Sequence, residues 1–97
     1  MFEIDKFEIE GKSFQGVKSK LPDLPPLLLI KGISGFVMCG YLNLDVAEKL
    51  DAAAAVVSGV STFEEVLNAE ISAVTSKAEG LGVKPGMVVR EALPKLG

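Results

Sequence analysis

Hydrophobic residues along this chain fall first into alternating strands, then into runs too apolar to alternate, and finally into short turns of helix. Residues 2–9 place Phe2 and Ile4 on one parity and Phe7 and Ile9 on the other. The alternation therefore changes phase near Asp5-Lys6, where a bulge or twist in an outer strand is expected. Glu10-Gly11-Lys12 offers a turn with glycine available for positive φ, and Phe14 to Lys20 reads as the second arm of an antiparallel hairpin, with lysines on its exposed face. In residues 21–26, three prolines remove donors and bias the residues before them to extended geometry, so this stretch is expected to be a connecting loop. Leu27 to Lys31 resumes as a buried strand, and Gly32-Ile33-Ser34-Gly35 is a glycine-bracketed hairpin turn. Its GxxG spacing also fits an anion-binding nest or the loop of a KH domain, but it lies between strands rather than helices.

The stretch Gly35 to Leu50 is the centre of the pattern. Phe36 to Leu42 holds six apolar or thiol positions with almost no polar alternation, which predicts a strand covered on both faces. Asn43 or Asp45 then hands the chain to a helix, because either side chain can accept from the first free backbone N–H groups. Leu44, Ala47 and Leu50, with Val46 beside them, form an apolar stripe opposite Asp45, Glu48, Lys49 and Asp51. Asp45-x-x-Glu48 has capping-box character, so the helix starts at Leu44 or Val46. Ala52 to Val57 reads as a buried strand, parallel to the previous one across a short crossover, and its alanines imply that something packs very close to it.

Ser61 with Glu64 and Thr62 with Glu65 are overlapping capping boxes for a short helix closed by Leu67-Asn68. Ala69 to Val74 alternates weakly as a last strand near an edge. A helix from Thr75 or Ser76 to about Leu81 follows, with Ser76-x-x-Glu79 as its box and Gly80 or Gly82 at its end. Residues 83–86 form a turn, and Met87 to Leu93 a final helix that Pro94 cannot continue. The fold class this predicts is α+β: one domain over residues 1–97, a two-layer α/β sandwich with a mixed five- to six-stranded sheet and short helices mainly on one face.

Composition narrows the functions open to such a fold. The 97 residues allow one modest core, and nearly half of them are apolar, with a mean hydropathy of +0.38. That surplus, together with an uncovered sheet face, leads to the expectation of a homo-oligomer. A net charge of −3 argues against a nucleic-acid partner. The single Cys39 cannot close an internal disulfide, and the first residues are charged from Glu3 onward with no apolar leader, so a reducing, cytoplasmic setting is expected. The longest apolar runs fall far below the roughly 20 residues of a membrane span, so no membrane partner is expected. Histidine is absent altogether. That removes Ser-His and Cys-His pairs and His-ligated zinc, and one cysteine cannot build a thiolate cage, so neither a metal nor another cofactor is expected.

What remains for chemistry is concentrated at the strand-to-helix junction. Cys39 is the candidate catalytic residue: by parity it shares a face with Val37 and Tyr41, an apolar setting that favours an inert thiol, while the helix beginning near Asn43 points its N-terminus toward it. Tyr41 and Asn43 are candidate ligand contacts at the same junction. The sole arginine, Arg90, is a further ligand-binding candidate, able to hold a carboxylate bidentately or to tie the final helix to an acidic residue elsewhere. Gly80-x-Gly82-x-Lys84-Pro85-Gly86 has the ingredients of a phosphate cradle, but its spacing fits neither the P-loop nor the dinucleotide fingerprint, and a cap and turn account for it.

Two separated signatures, Gly35-Phe36-Val37-Met38-Cys39-Gly40 and Leu81 to Met87 with Arg90-Glu91-Ala92-Leu93, together resemble the YunC-like family of small domains of unknown function. The likeness runs from about Leu24 to Leu93. It implies a compact two-layer α/β domain and brings no established activity. In that family the two positions before Arg90 are often small or polar, whereas this chain has Val88 and Val89; if the pair helps line a pocket, this sequence has altered it, and the resemblance carries over no ligand there. Two functions are thus open. One is a homo-oligomeric interaction or small-ligand-binding domain, and the other a thiol-dependent enzyme or redox sensor using Cys39.

Overall fold

A computed structural model describes residues 2–97 and shows one mixed six-stranded sheet whose spatial order follows the chain, β1-β2-β3-β4-β5-β6. Strand β1 (Phe2–Ile9) pairs antiparallel with β2 (Lys12–Leu21), and β2 with β3 (Leu24–Lys31). Glu10 and Gly11 both have positive φ, 50° and 79°, the type I′ geometry whose twist matches a hairpin. The ladder from Phe2 to Ile9 is continuous, so the bulge expected at Asp5-Lys6 is absent. The phase change has another cause. Phe7 pairs with buried Phe14 on one face while Ile4 pairs with Val17 on the other, so the hairpin carries apolar residues on both sides.

The irregularity lies instead between Ser19 and Leu21. Residues 21–26 are not the long loop that their prolines suggested: the turn is only Pro22-Asp23, with Asp23 at φ 60°, and β3 already begins at Leu24. Strand β4 (Phe36–Met38) covers β3 only from Leu29 to Lys31. Pro25 and Pro26 thus occupy an overhang whose β4 side needs no donors.

β4 and β5 (Ala54–Val56) are the parallel pair, joined by α1 (Leu44–Lys49). β4 is shorter than the apolar run that encodes it. The Cys39 N–H still reaches the Leu28 carbonyl oxygen, but Leu42 then donates back to Cys39, and Gly40 and Tyr41 turn outward to solvent. Nor is the strand sealed on both faces: Val37 is buried, whereas Phe36 and Met38 on the other side are half-buried. β6 (Ala73–Val74) closes the second edge.

Helices α2 (Phe63–Asn68), α3 (Ser76–Gly80) and α4 (Val89–Ala92) cover one face. Their Val66, Leu67, Ala78, Val89 and Ala92 meet Leu28, Ile30, Val37 and Ala55 in the main core. A 3-10 turn, Leu93–Lys95, carries the chain through Pro94 where the sequence pattern implied a stop, since proline is accepted in a first turn whose N–H would be unpaired anyway. α1 differs from the other helices. Ala47 and Ala54 are buried outside the main core cluster, and by strand parity Ala54 points away from it, so α1 packs on the opposite face of β5. The close packing implied by the alanine run is this contact. Of the expected α1 stripe only Ala47 is buried, and Val46 and Leu50 stay exposed. No described helix is long and apolar enough to cross a membrane.

Candidate functional site

Because β4 and β5 run the same way, their carboxyl ends emerge side by side, and antiparallel β3 begins at that same end. Three short segments therefore converge: residues 24–26 of β3, the turn 39–41 after β4 and the turn 58–61 after β5. Between them lies a cavity of about 530 Å³. Its size is that of a small-molecule site, and crevices beyond the carboxyl ends of parallel strands are where open α/β sheets hold ligands.

Cys39 forms part of the wall. It is only 5% exposed, and its Sγ accepts the Leu28 N–H at 3.4 Å, a weak bond that fixes the sulfur on the β3 side. Tyr41 does not share this burial, because strand parity lapses once β4 ends. Its ring stands at the rim, where its hydroxyl donates to the Pro25 carbonyl at 2.6 Å and links the β4 turn to the start of β3. Gly40 sits between them with open space where a side chain would project. Ser58, Gly59, Val60 and Ser61 make the opposite wall, with Gly59 at φ 71° turning the chain after β5. Those four residues were missed by sequence reasoning, which took them as a strand end and a helix start. The available signal was a Ser-Gly pair directly after a buried strand.

The other two candidates lie apart from this cavity. Asn43 is the N-cap of α1, its Oδ1 accepting from Asp45 N–H at 3.1 Å and Val46 N–H at 3.3 Å, so these donors are engaged by the cap rather than by the sulfur. Arg90 is exposed on α4, with no carboxylate within ion-pair distance among the described residues, where the ion pair is Lys77 with Asp51. Val89 before it is fully buried, which makes it a core residue. The Gly80–Gly86 stretch acts as cap and turn: Gly82 has φ 97°, and its N–H donates to Glu79. No charged side chain lines the cavity, and among the described residues no group of three Cys, Asp or Glu is placed to hold a metal ion. The arrangement can enclose an apolar body and offer it two serine hydroxyls, a thiol and exposed backbone.

Fold and cavity together define a class: a small α+β domain whose mixed sheet opens an apolar crevice at the ends of its one parallel pair. Residues 38–96 match the family described as Domain of unknown function (DUF1805), and the chain belongs to that family. The Bacillus subtilis (strain 168) protein "Uncharacterized protein YunC" is 37% identical over 100 residues, spanning 99% of this chain and 98% of its own. A crystal structure of a protein of unknown function, TA1206 from Thermoplasma acidophilum, is 42% identical and superposes with a TM-score of 0.95 over 100% of this chain and 94% of that one. The likeness thus includes the β1–β2 hairpin, which precedes the matched family region.

Proposed function

We propose that this chain is a non-enzymatic, self-associating domain that binds a small, uncharged, largely apolar ligand in the crevice between residues 39–41 and 58–61. The observation that carries the reading is the composition of that cavity: an open crevice of about 530 Å³ lined by proline, leucine, valine, glycine, a buried thiol and a tyrosine ring, with polar groups limited to hydroxyls and backbone. Such walls favour transfer of an apolar body from water and offer nothing to offset the desolvation of a charge. They also favour binding over thiol chemistry, because no cation or carboxylate stands in the wall to generate or use a thiolate.

The test is an NMR fragment screen on the ¹⁵N-labelled protein with uncharged aromatic and aliphatic fragments, repeated on Gly40→Leu. A Cβ at Gly40 meets nothing within 4 Å, so the variant should keep the fold while setting a bulky side chain at the edge of the crevice. Fragments should shift residues 39–41 and 58–61 in the wild type and lose at least tenfold in affinity in the variant. Fragments that bind both proteins equally, or none that binds at all, would overturn the reading. The thiol alternative is checked on the same protein: iodoacetamide at pH 8 should modify native Cys39 far more slowly than the unfolded chain, and rapid native alkylation would favour the enzyme or redox reading.

A further inference from the structure

We infer that two copies of this chain pack face to face through the side of the sheet opposite the main core, each copy laying its α1 on the other's β1–β3 half. This rests on the self-association in the reading above and is independent of the crevice. The ladder pairings place one apolar row across all six strands on that side: Ile4 beside Val17, Val17 beside Leu29, Leu29 beside Met38, Met38 beside Val56, and Val56 beside Ala73. Val17, Leu29 and Val56 are only half-buried and Ile4 is 56% exposed, while Met38, also half-buried, touches the main core as well. A row so regular, on the face without the three core helices, calls for a second layer.

The occupant follows from how that face is half covered. α1 shields only its β5 side, while over β1–β3 the row stays open. α1 also has an unused apolar strip of its own: Val46 and Leu50, one helical turn apart, are 48% and 75% exposed. One molecule therefore displays both a protruding helix with an apolar flank and a vacant apolar half-face beside it. A two-fold axis brings each to the other and closes the assembly with two copies. Charge agrees with that placement. The open half presents Lys6 and Lys31 with Glu8, whereas α1 carries Asp45 and Glu48 against Lys49, with Glu48 also accepting from the Ser76 N–H and Asp51 already paired with Lys77. Size agrees as well: the molecule's two longer extents are 36 and 31 Å, which leaves room for the roughly 800 Å² per partner of a stable interface.

Sedimentation equilibrium on the wild type, Leu50→Lys, Leu29→Lys and Gly40→Leu tests this, with circular dichroism to confirm folding. Leu50 is too exposed for its substitution to disturb the monomer, so that variant is decisive even if Leu29→Lys fails to fold. A wild-type dimer is expected, with its dissociation constant raised at least tenfold by Leu50→Lys and unchanged by Gly40→Leu. A wild-type monomer throughout the micromolar to millimolar range would overturn both the self-association and this interface. A dimer indifferent to Leu50→Lys would overturn the interface and leave self-association standing, and a dimer broken by Gly40→Leu would move the contact to the crevice.

Discussion

Thr75 is the buried polar side chain on which the second half of the sheet depends. It is 1% exposed, and its Oγ1 donates to the Ala52 carbonyl at 2.6 Å while accepting from the N–H groups of Ala54 at 3.1 Å and Ala78 at 3.4 Å. One hydroxyl thus caps α3, binds the first N–H of β5 and holds the Ala52 carbonyl just before that strand. Thr75→Val keeps the shape and removes every one of these bonds, leaving buried backbone groups without partners at about 1–3 kcal/mol each, so a loss near 3 kcal/mol is expected in urea unfolding. Thr75→Ser should recover most of it. An equal loss in both variants would mean that the methyl group, not the hydroxyl, is what matters. Only part of this was legible in the sequence. Thr75 was expected at a helix start because its bond to Ala78 is local, but Ala52 and Ala54 lie more than twenty residues earlier and no spacing rule connects them. Cys39 shows the same division: its burial followed from its parity with Val37, while the exposure of Tyr41 did not, because parity says nothing about where a strand stops.

At the scale of elements, caps were the most legible feature and length the least. Asn43 and Thr62, each one of two caps the pattern offered, cap α1 and α2, whereas α3 is capped by Thr75 and not by Ser76 of the expected box. The reciprocal halves of the capping boxes went elsewhere: Glu65 accepts from the Ser61 N–H at 2.7 Å, one residue before its cap, and Glu48 reaches across to the Ser76 N–H at 2.8 Å, tying α1 to α3. α1 has six residues, well below the length at which a helix stands alone, so its order comes from Asn43, from Glu48 and from Ala47 against β5. Asn43→Ala should therefore cost about 1 kcal/mol of global stability, with the largest rise in hydrogen exchange within residues 44–50 rather than around the crevice. A rise at residues 39–41 instead would show that the cap holds the pocket turn as well. The apolar stripe on α1 was legible as a pattern, yet of its residues only Ala47 is buried. Amphipathic spacing reports which side is apolar, and Val46 and Leu50 show that it does not report what covers that side.

For the whole molecule, Leu96 anchors the turn between β3 and β4. Leu96 is fully buried, and its carbonyl oxygen accepts from both Ser34 N–H at 2.8 Å and Gly35 N–H at 3.1 Å. The glycine-bracketed turn between β3 and β4, legible as a hairpin, is therefore also the seat of the chain's end. This second role was hidden, because its partners are Ala53, just before β5, and Leu96, more than sixty residues downstream. It explains why glycine brackets the turn at both ends: a Cβ at Gly32 would come within 2.6 Å of the Leu96 carbonyl oxygen and 2.8 Å of the Phe14 ring. A Cβ at Gly35 would collide with the Ala53 carbonyl oxygen and come within 2.9 Å of the Ala53 side chain and 2.8 Å of Leu96, backbone and core atoms that cannot swing aside. A Cβ at Gly40 meets nothing. Gly35→Ala should thus force β4 away from residues 52–53, separate the turn from Leu96 and cost several kcal/mol, on the scale of core overpacking or worse, while Gly40→Ala changes stability by less than about 1 kcal/mol. Thermal unfolding of the two variants side by side decides the matter. If Gly35→Ala melts with the wild type, the contact of the chain's end with this turn is not what holds the parallel pair together, and the crevice at the far end of β4 and β5 must be positioned by the helical layer alone.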